Sequence, residues 1–173
     1  MMKRLTAAAA VLAAAFGVTG PVMASETFTA NLNGFEEVPS IATGARGFLL
    51  ATLNDAGTQL DYQLYYLNLS AAPAASHIHI GQKSVNGGVV LFFCTNGTPP
   101  AGAPVPPACP NAPGINFVGG SLTAANVVAV AGQGIAAWAT GFQDIIRAIR
   151  AGNAYANLHT SNFAGGEMRG QIR

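Results

Sequence analysis

The sequence predicts an all-β domain, an antiparallel β-sandwich with one short helix in its C-terminal half. Three observations carry that prediction. Apolar and polar residues alternate with a period of two in several short stretches, and turns rich in Gly, Asn and Pro separate them. An apolar period of helical type occurs convincingly once, late in the chain.

The first residues read as an export signal rather than as fold. Lys3 and Arg4 precede an Ala-rich apolar run, 5–18, and Val22-Met23-Ala24 offers the small residues that signal peptidase reads. The run is short for a membrane span and is broken by Gly17, Gly20 and Pro21. Residues 1–24 are therefore expected to be a cleaved signal peptide and 25–173 one domain, secreted or periplasmic, with no membrane span after cleavage. Of the 8 Lys and Arg, Lys3 and Arg4 fall in the leader, so about six cations face 7 acidic groups. That balance excludes nucleic acid, whose binding needs several phosphate-neutralising residues, and gives no basic face for a membrane surface.

In order, Phe28, Ala30 and Leu32 alternate with polar neighbours as a first strand. Asn33-Gly34 turns the chain into Phe35-Glu36-Glu37-Val38-Pro39, whose adjacent carboxylates point opposite ways in an extended chain. They make a poor acid/base pair and read as solvated loop charges. Residues 47–54 and 58–69 form a hairpin around Asp55-Ala56-Gly57, with Leu60, Tyr62, Leu64 and Tyr66 on one face and Asp61, Gln63, Tyr65 and Leu67 on the other. Next come the strand of Ser76-His77-Ile78-His79-Ile80-Gly81, the turn Val85-Asn86-Gly87-Gly88, and the buried run 89–93. A further strand is expected over 115–122. Thr123 then caps a short helix as far as Ala131, or that segment stays irregular. Phe142, Ile145, Ile146 and Ile149 recur at helical spacing in 141–151, Arg147 and Arg150 suit the last turns, and Gly152-Asn153 stops the helix. Its apolar stripe is a lid on the core.

Cys94 and Cys109 bracket a Pro- and Gly-rich segment, 95–108. In an oxidising compartment such a pair forms a disulfide, and the spacing is not that of a zinc knuckle, whose cysteines come two to four residues apart.

The last two strands, 154–160 and 166–173, pair across 161–165. Setting polar against polar places His159 opposite Glu167, Asn157 opposite Arg169 and Tyr155 opposite Gln171, whereas a slip of one residue would bring Met168 to His159 on the apolar face.

The chain carries 3 histidines, and all of them fall in these strand motifs. His77 and His79, two residues apart, share a face, and His159 lies in a strand of the same period. Neutral imidazole suits copper and zinc, so the three can close one site for a single ion, with Glu167, Arg169 and Asn157 around it. The competing reading is a satisfied hydrogen-bond network of the same residues that locks the strands together.

Together, Asn33-Gly34-Phe35-Glu36-Glu37-Val38-Pro39, Leu67-Asn68-Leu69-Ser70, His77-Ile78-His79-Ile80-Gly81, Tyr155-Ala156-Asn157-Leu158-His159-Thr160 and Gly166-Glu167-Met168-Arg169-Gly170-Gln171-Ile172 resemble the CHRD domain. That module occurs repeated in chordin and singly in exported bacterial proteins. The resemblance covers nearly all of 25–173 and implies an immunoglobulin-like, Greek-key sandwich or barrel. Ala156, Leu158 and Met168 replace β-branched residues common in the family, while Asn157, His159, Glu167 and Arg169 stay in place.

Three function classes follow. One is a binding protein that holds a copper or zinc ion through His77, His79 and His159. Another is a metal-free interaction or adhesion module for an unidentified protein or small ligand, using the sheet face of Tyr62, Tyr65 and Tyr66 or the loop 95–108. The third is an enzyme like copper-zinc superoxide dismutase, for which 3 histidines are too few to build a two-metal site. No Gly-X-Ser-X-Gly elbow of a serine hydrolase occurs.

Overall fold

Each alternating stretch becomes a strand because its apolar half can be buried only on one face. In the computed structural model, which describes residues 24–173, these are β1 (Glu26–Asn33), β2 (Arg46–Leu53), β3 (Gln59–Leu67), β4 (Pro73–Ile80), β5 (Val89–Thr95), β6 (Asn116–Thr123), β7 (Ala154–Thr160) and β8 (Met168–Gln171). The expected signal peptide lies outside the described residues, apart from Ala24. Among the described residues no helix is long and apolar enough to cross a membrane.

All eight strands join one antiparallel sheet in the order β5-β4-β7-β8-β1-β2-β3-β6. The all-β antiparallel class is as expected; two stacked sheets are not seen, because the ladder runs unbroken from β5 to β6. The sheet instead curls nearly into a barrel. Tyr62 on β3 reaches across the interior to donate a 2.6 Å hydrogen bond to the Phe93 carbonyl on β5, and the end strands β5 and β6 approach one another. Right-handed strand twist gives a long sheet this tendency to coil, and near-closure leaves little exposed edge.

Inside lie Phe28, Ala30 and Leu32 of β1, Leu49, Ala51 and Leu53 of β2, Leu60, Tyr62, Leu64 and Tyr66 of β3, Ile78 of β4, and Ala154, Ala156 and Leu158 of β7. The alternation of β3 is therefore as its sequence predicts. Two of the three tyrosines proposed for a binding face are core residues, with Tyr66 donating to the Pro110 carbonyl, and only Tyr65 stays outside.

One helix, α1 (Trp138–Arg150), starts three residues earlier than its apolar period indicated and buries Gly141, Phe142, Ile145, Ile146 and Ile149 against this core. Gln143 donates to the Gly57 carbonyl in the β2–β3 turn, and Arg150 pairs with Glu26 at the start of β1, which fixes the helix at that end of the barrel. Gly152, at φ +69°, ends it with a bond to the Ile149 carbonyl. After β6, Thr123 and Asn126 form a capping box, but on a single 3₁₀ turn, Ala124–Asn126, rather than a helix reaching Ala131.

Cys94 and Cys109 are bonded. Asn96 holds the base of the loop they close, accepting from the Cys109 N–H at 3.0 Å and donating to the Cys109 carbonyl at 2.9 Å.

Candidate metal centre

The period of two decides where the histidines go. Ser76 and Ile78 are fully buried, so His77 and His79 must leave β4 on the outer face; in β7 the inward Ala154, Ala156 and Leu158 send Tyr155, Asn157 and His159 outward in the same way. The β4–β7 register sets Ala75 opposite His159, His77 opposite Asn157 and His79 opposite Tyr155. That brings three imidazoles onto one patch of two neighbouring strands, with centroids 4.9 Å apart for His77 and His159 and 5.5 Å for His77 and His79.

This outer face is not wet. The β4–β5 loop, the β7–β8 loop and the segment around Glu37 fold over it, leaving His77 and His79 7% exposed. Phe92 of β5 meets the His77 ring edge-on at 4.3 Å.

A carbonyl fixes one of the tautomers, since a carbonyl oxygen only accepts: His159 Nδ1–H donates to the Ala164 carbonyl at 2.9 Å, and in the neutral ring its Nε2, buried without a partner, carries the lone pair. His79 faces two acceptors, the Gly87 carbonyl 2.9 Å from Nδ1 and Asn157 Oδ1 3.0 Å from Nε2, so the neutral ring donates to one of them and has a lone pair toward the other. His77 Nδ1 is likewise buried and unpartnered.

Burial pushes the His77 pKa from the usual imidazole range down to about 3, helped by its His159 and His79 neighbours. Burial lowers His79 and His159 too, against the opposing pull of their carbonyl bonds. All three rings are thus neutral near pH 7, the form a metal requires. The ligand atoms lie within 4.8 Å of one another, and no other His, Cys, Asp or Glu among the described residues joins the group. A tetrahedral ion with bonds of 2.0–2.1 Å needs nitrogens about 3.3 Å apart, so holding an ion would require the rings to pivot inward. The group can hold one metal ion.

Around it, Arg169 is nearly fully buried. Its guanidinium lies 3.3 Å from the centre of the Tyr155 ring, which stacks in turn on His79 at 4.7 Å, and it donates to the Gln82 and Val85 carbonyls and to Asn86 Oδ1. It therefore clamps the β4–β5 loop over the histidines. Asn157 touches His79 directly. Both residues stand where the expected β7–β8 register puts them, with Asn157 opposite Arg169 and Tyr155 opposite Gln171.

Glu167 does not pair with His159. The ladder ends at Leu158 and Met168, and the Glu167 carboxylate turns the other way, accepting from Thr43 Oγ1 at 2.7 Å, Thr160 Oγ1 at 2.8 Å, Ser70 N–H at 2.9 Å and Ser70 Oγ at 3.0 Å. The reason is donor supply: the one N–H of a neutral His159 already goes to Ala164, whereas four donors converge on the other side. Met168, the residue that a one-residue slip would have set beside His159, is fully buried in the apolar core.

Sequence reasoning missed Glu37. Glu36 is the surface charge, paired with Lys83 at 3.2 Å, while Glu37 is 6% exposed with one oxygen, Oε1, lacking any partner. Burial raises its pKa to about 7, opposed by the Arg169 charge, the Val38 N–H and the Asn157 amide. It lines a recess of about 100 Å³ with Val38, Pro39, Ile41, Phe163, Gly165 and Gly166. The usable signal was the pair itself: neighbours that face opposite ways cannot both be solvated when one side of the segment packs on the sheet.

A family model for the CHRD domain matches residues 28–172. No curated protein and no solved structure matches the chain. Since that one model runs from β1 through β8, and so takes in both histidine strands and the Glu37 segment that covers them, the chain belongs to the CHRD domain family.

Proposed function

We propose that this is an exported, single-domain CHRD protein, residues 25–173 following a signal peptide 1–24, that binds one transition-metal ion, copper or zinc, through His77, His79 and His159. The observation that carries the reading is the pair of buried ring nitrogens without hydrogen-bond partners, His77 Nδ1 and His159 Nε2, in a group of three rings that each bring a nitrogen within 4.8 Å of the others. A purely structural network leaves few such atoms, because an unmet buried polar group costs about 1–3 kcal/mol. Asn157 and Arg169 serve the site by contact with His79 and by holding its covering loop, and Glu167 ties strands together behind it. The disulfide supports export to an oxidising compartment, periplasmic or extracellular.

The test is a copper and zinc titration of tag-free protein alongside His77→Ala, His79→Ala and His159→Ala. Stoichiometric uptake by the wild type, lost in each variant and falling only as the pH drops below the usual imidazole range toward the depressed values of these rings, is the expected result. Wild type that takes up no more metal than the triple variant removes the metal site.

A second reading, a metal-free interaction module, is favoured by one feature. Phe48, Tyr65 and Phe117 stand side by side across β2, β3 and β6, at least 37% exposed, with Tyr65 and Phe117 rings 5.0 Å apart. Replacing Phe48 and Phe117 by Ser should leave metal uptake intact and abolish any binding that depends on this face.

A further inference from the structure

Building on the metal reading above, we infer that the three-histidine site selects monovalent copper over zinc, with Nε2 of His159, Nδ1 of His77 and one ring nitrogen of His79 as its ligands. The ligand atoms follow from the hydrogen bonds: Nδ1–H of His159 is committed to the Ala164 carbonyl, which leaves its Nε2 lone pair, His77 Nδ1 is the buried nitrogen without a partner, and neutral His79 can donate to only one of its two acceptors, the Gly87 carbonyl and Asn157 Oδ1, so its other nitrogen carries the lone pair.

Three features set the preference. The donor set is neutral, since among the described residues no carboxylate or thiolate joins the three rings. A bound ion therefore keeps its whole charge in a place where two of its ligand residues are 7% exposed. The cost of burying charge grows as its square, about fourfold from a monovalent to a divalent ion of similar size. The fixed charge stacked beside the site is also positive. Arg169, 1% exposed, sits on the far side of the Tyr155 ring that stacks on His79, and its repulsion doubles for a divalent ion. The one carboxylate in the neighbourhood, Glu37, faces Arg169 and Asn157 rather than the rings. Finally, zinc is satisfied by four ligands and cuprous ion by three, and here Phe92 on His77 and Tyr155 on His79 cover the flanks with aromatic surface instead of a further donor.

The experiment uses full-length exported protein without a tag, stripped of metal. Copper(I) is titrated anaerobically under ascorbate against bathocuproine disulfonate, and zinc(II) against a chromophoric zinc chelator. One copper(I) per chain is expected, bound about 1,000-fold more tightly than zinc(II), with an X-ray absorption spectrum of three nitrogen ligands. Zinc(II) bound as tightly as copper(I) overturns the selectivity and leaves the metal site standing. A protein that takes up neither ion overturns both.

Discussion

Glu37 and Glu167 are both buried carboxylates, and Glu37 packs on the residue before Glu167: the Cβ of an alanine at Gly166 would stand 2.4 Å from Glu37 Oε1. Their chemistry nevertheless runs in opposite directions. Burial raises the pKa of Glu167, but hydrogen bonds from Thr43, Thr160 and Ser70 outweigh it and hold the group below the usual carboxylate range. At Glu37 burial prevails and the pKa rises to about 7. Donor supply, not depth, separates a charge that fastens two loops to β7 from a carboxyl left with an unpartnered oxygen beside the candidate metal centre.

The largest expected effect breaks the satisfied member. Glu167→Ala leaves the donors of Thr43, Thr160 and Ser70 without their acceptor and should cost about 3–5 kcal/mol in urea denaturation. A loss below about 1 kcal/mol would mean that water replaces the carboxylate and that the contrast with Glu37 is false.

Glu37→Gln should instead cost little at acid pH and become favourable as the pH rises. A carboxyl whose folded pKa lies above its unfolded value of 4.5 contributes stability that is full below pH 4.5 and is lost as the pH climbs through about 7. Relative to wild type, the variant should therefore gain on the order of 3 kcal/mol between those pH values, measured on metal-free protein. The histidines act with the opposite sign, losing stability as the pH falls below 6.5 toward the depressed His77 value of about 3. Because they are common to both proteins, subtracting the two pH profiles isolates Glu37. Parallel profiles would show that its carboxyl titrates normally.

The smallest effect concerns the residue between the two. Gly166 has φ +126°, and a Cβ there meets Glu37 rather than Glu167. Gly166→Ala should cost about 2 kcal/mol, and part of that loss should disappear in the Glu37→Ala background while remaining whole alongside Glu167→Ala. Equal coupling to both would place the two carboxylates in one network.

Much of this was legible locally. Period-two alternation located β1, β2, β3 and β7, the Ile145/Ile146/Ile149 stripe located α1, and polar matching fixed the β7–β8 register from Tyr155 to Leu158. The same matching failed one residue later. At Glu167 the pairing rule assumes that the ladder continues, and Gly166 breaks it so that the carboxylate can reach donors on β7 and in loops up to 124 residues away. Glu37 was misread for a related reason. Its neighbours in sequence suggest a solvated loop, and only the folding of that loop against Asn157 and Arg169 buries it.

By itself the sequence determined the face of each strand, since a side chain's direction follows from the backbone period, and with it the alignment of His77 with His79. It also determined the Cys94–Cys109 link, because among the described residues there is no other cysteine to pair. Only the tertiary structure decided that eight strands close into one curled sheet instead of two, that β4 and β7 are neighbours and so deliver His159 to the same patch, and that loops cover an outward face to make it nearly as dry as the core. Those outcomes depend on strand order and loop closure, which sum weak contacts between residues far apart in the chain, and no local period encodes them.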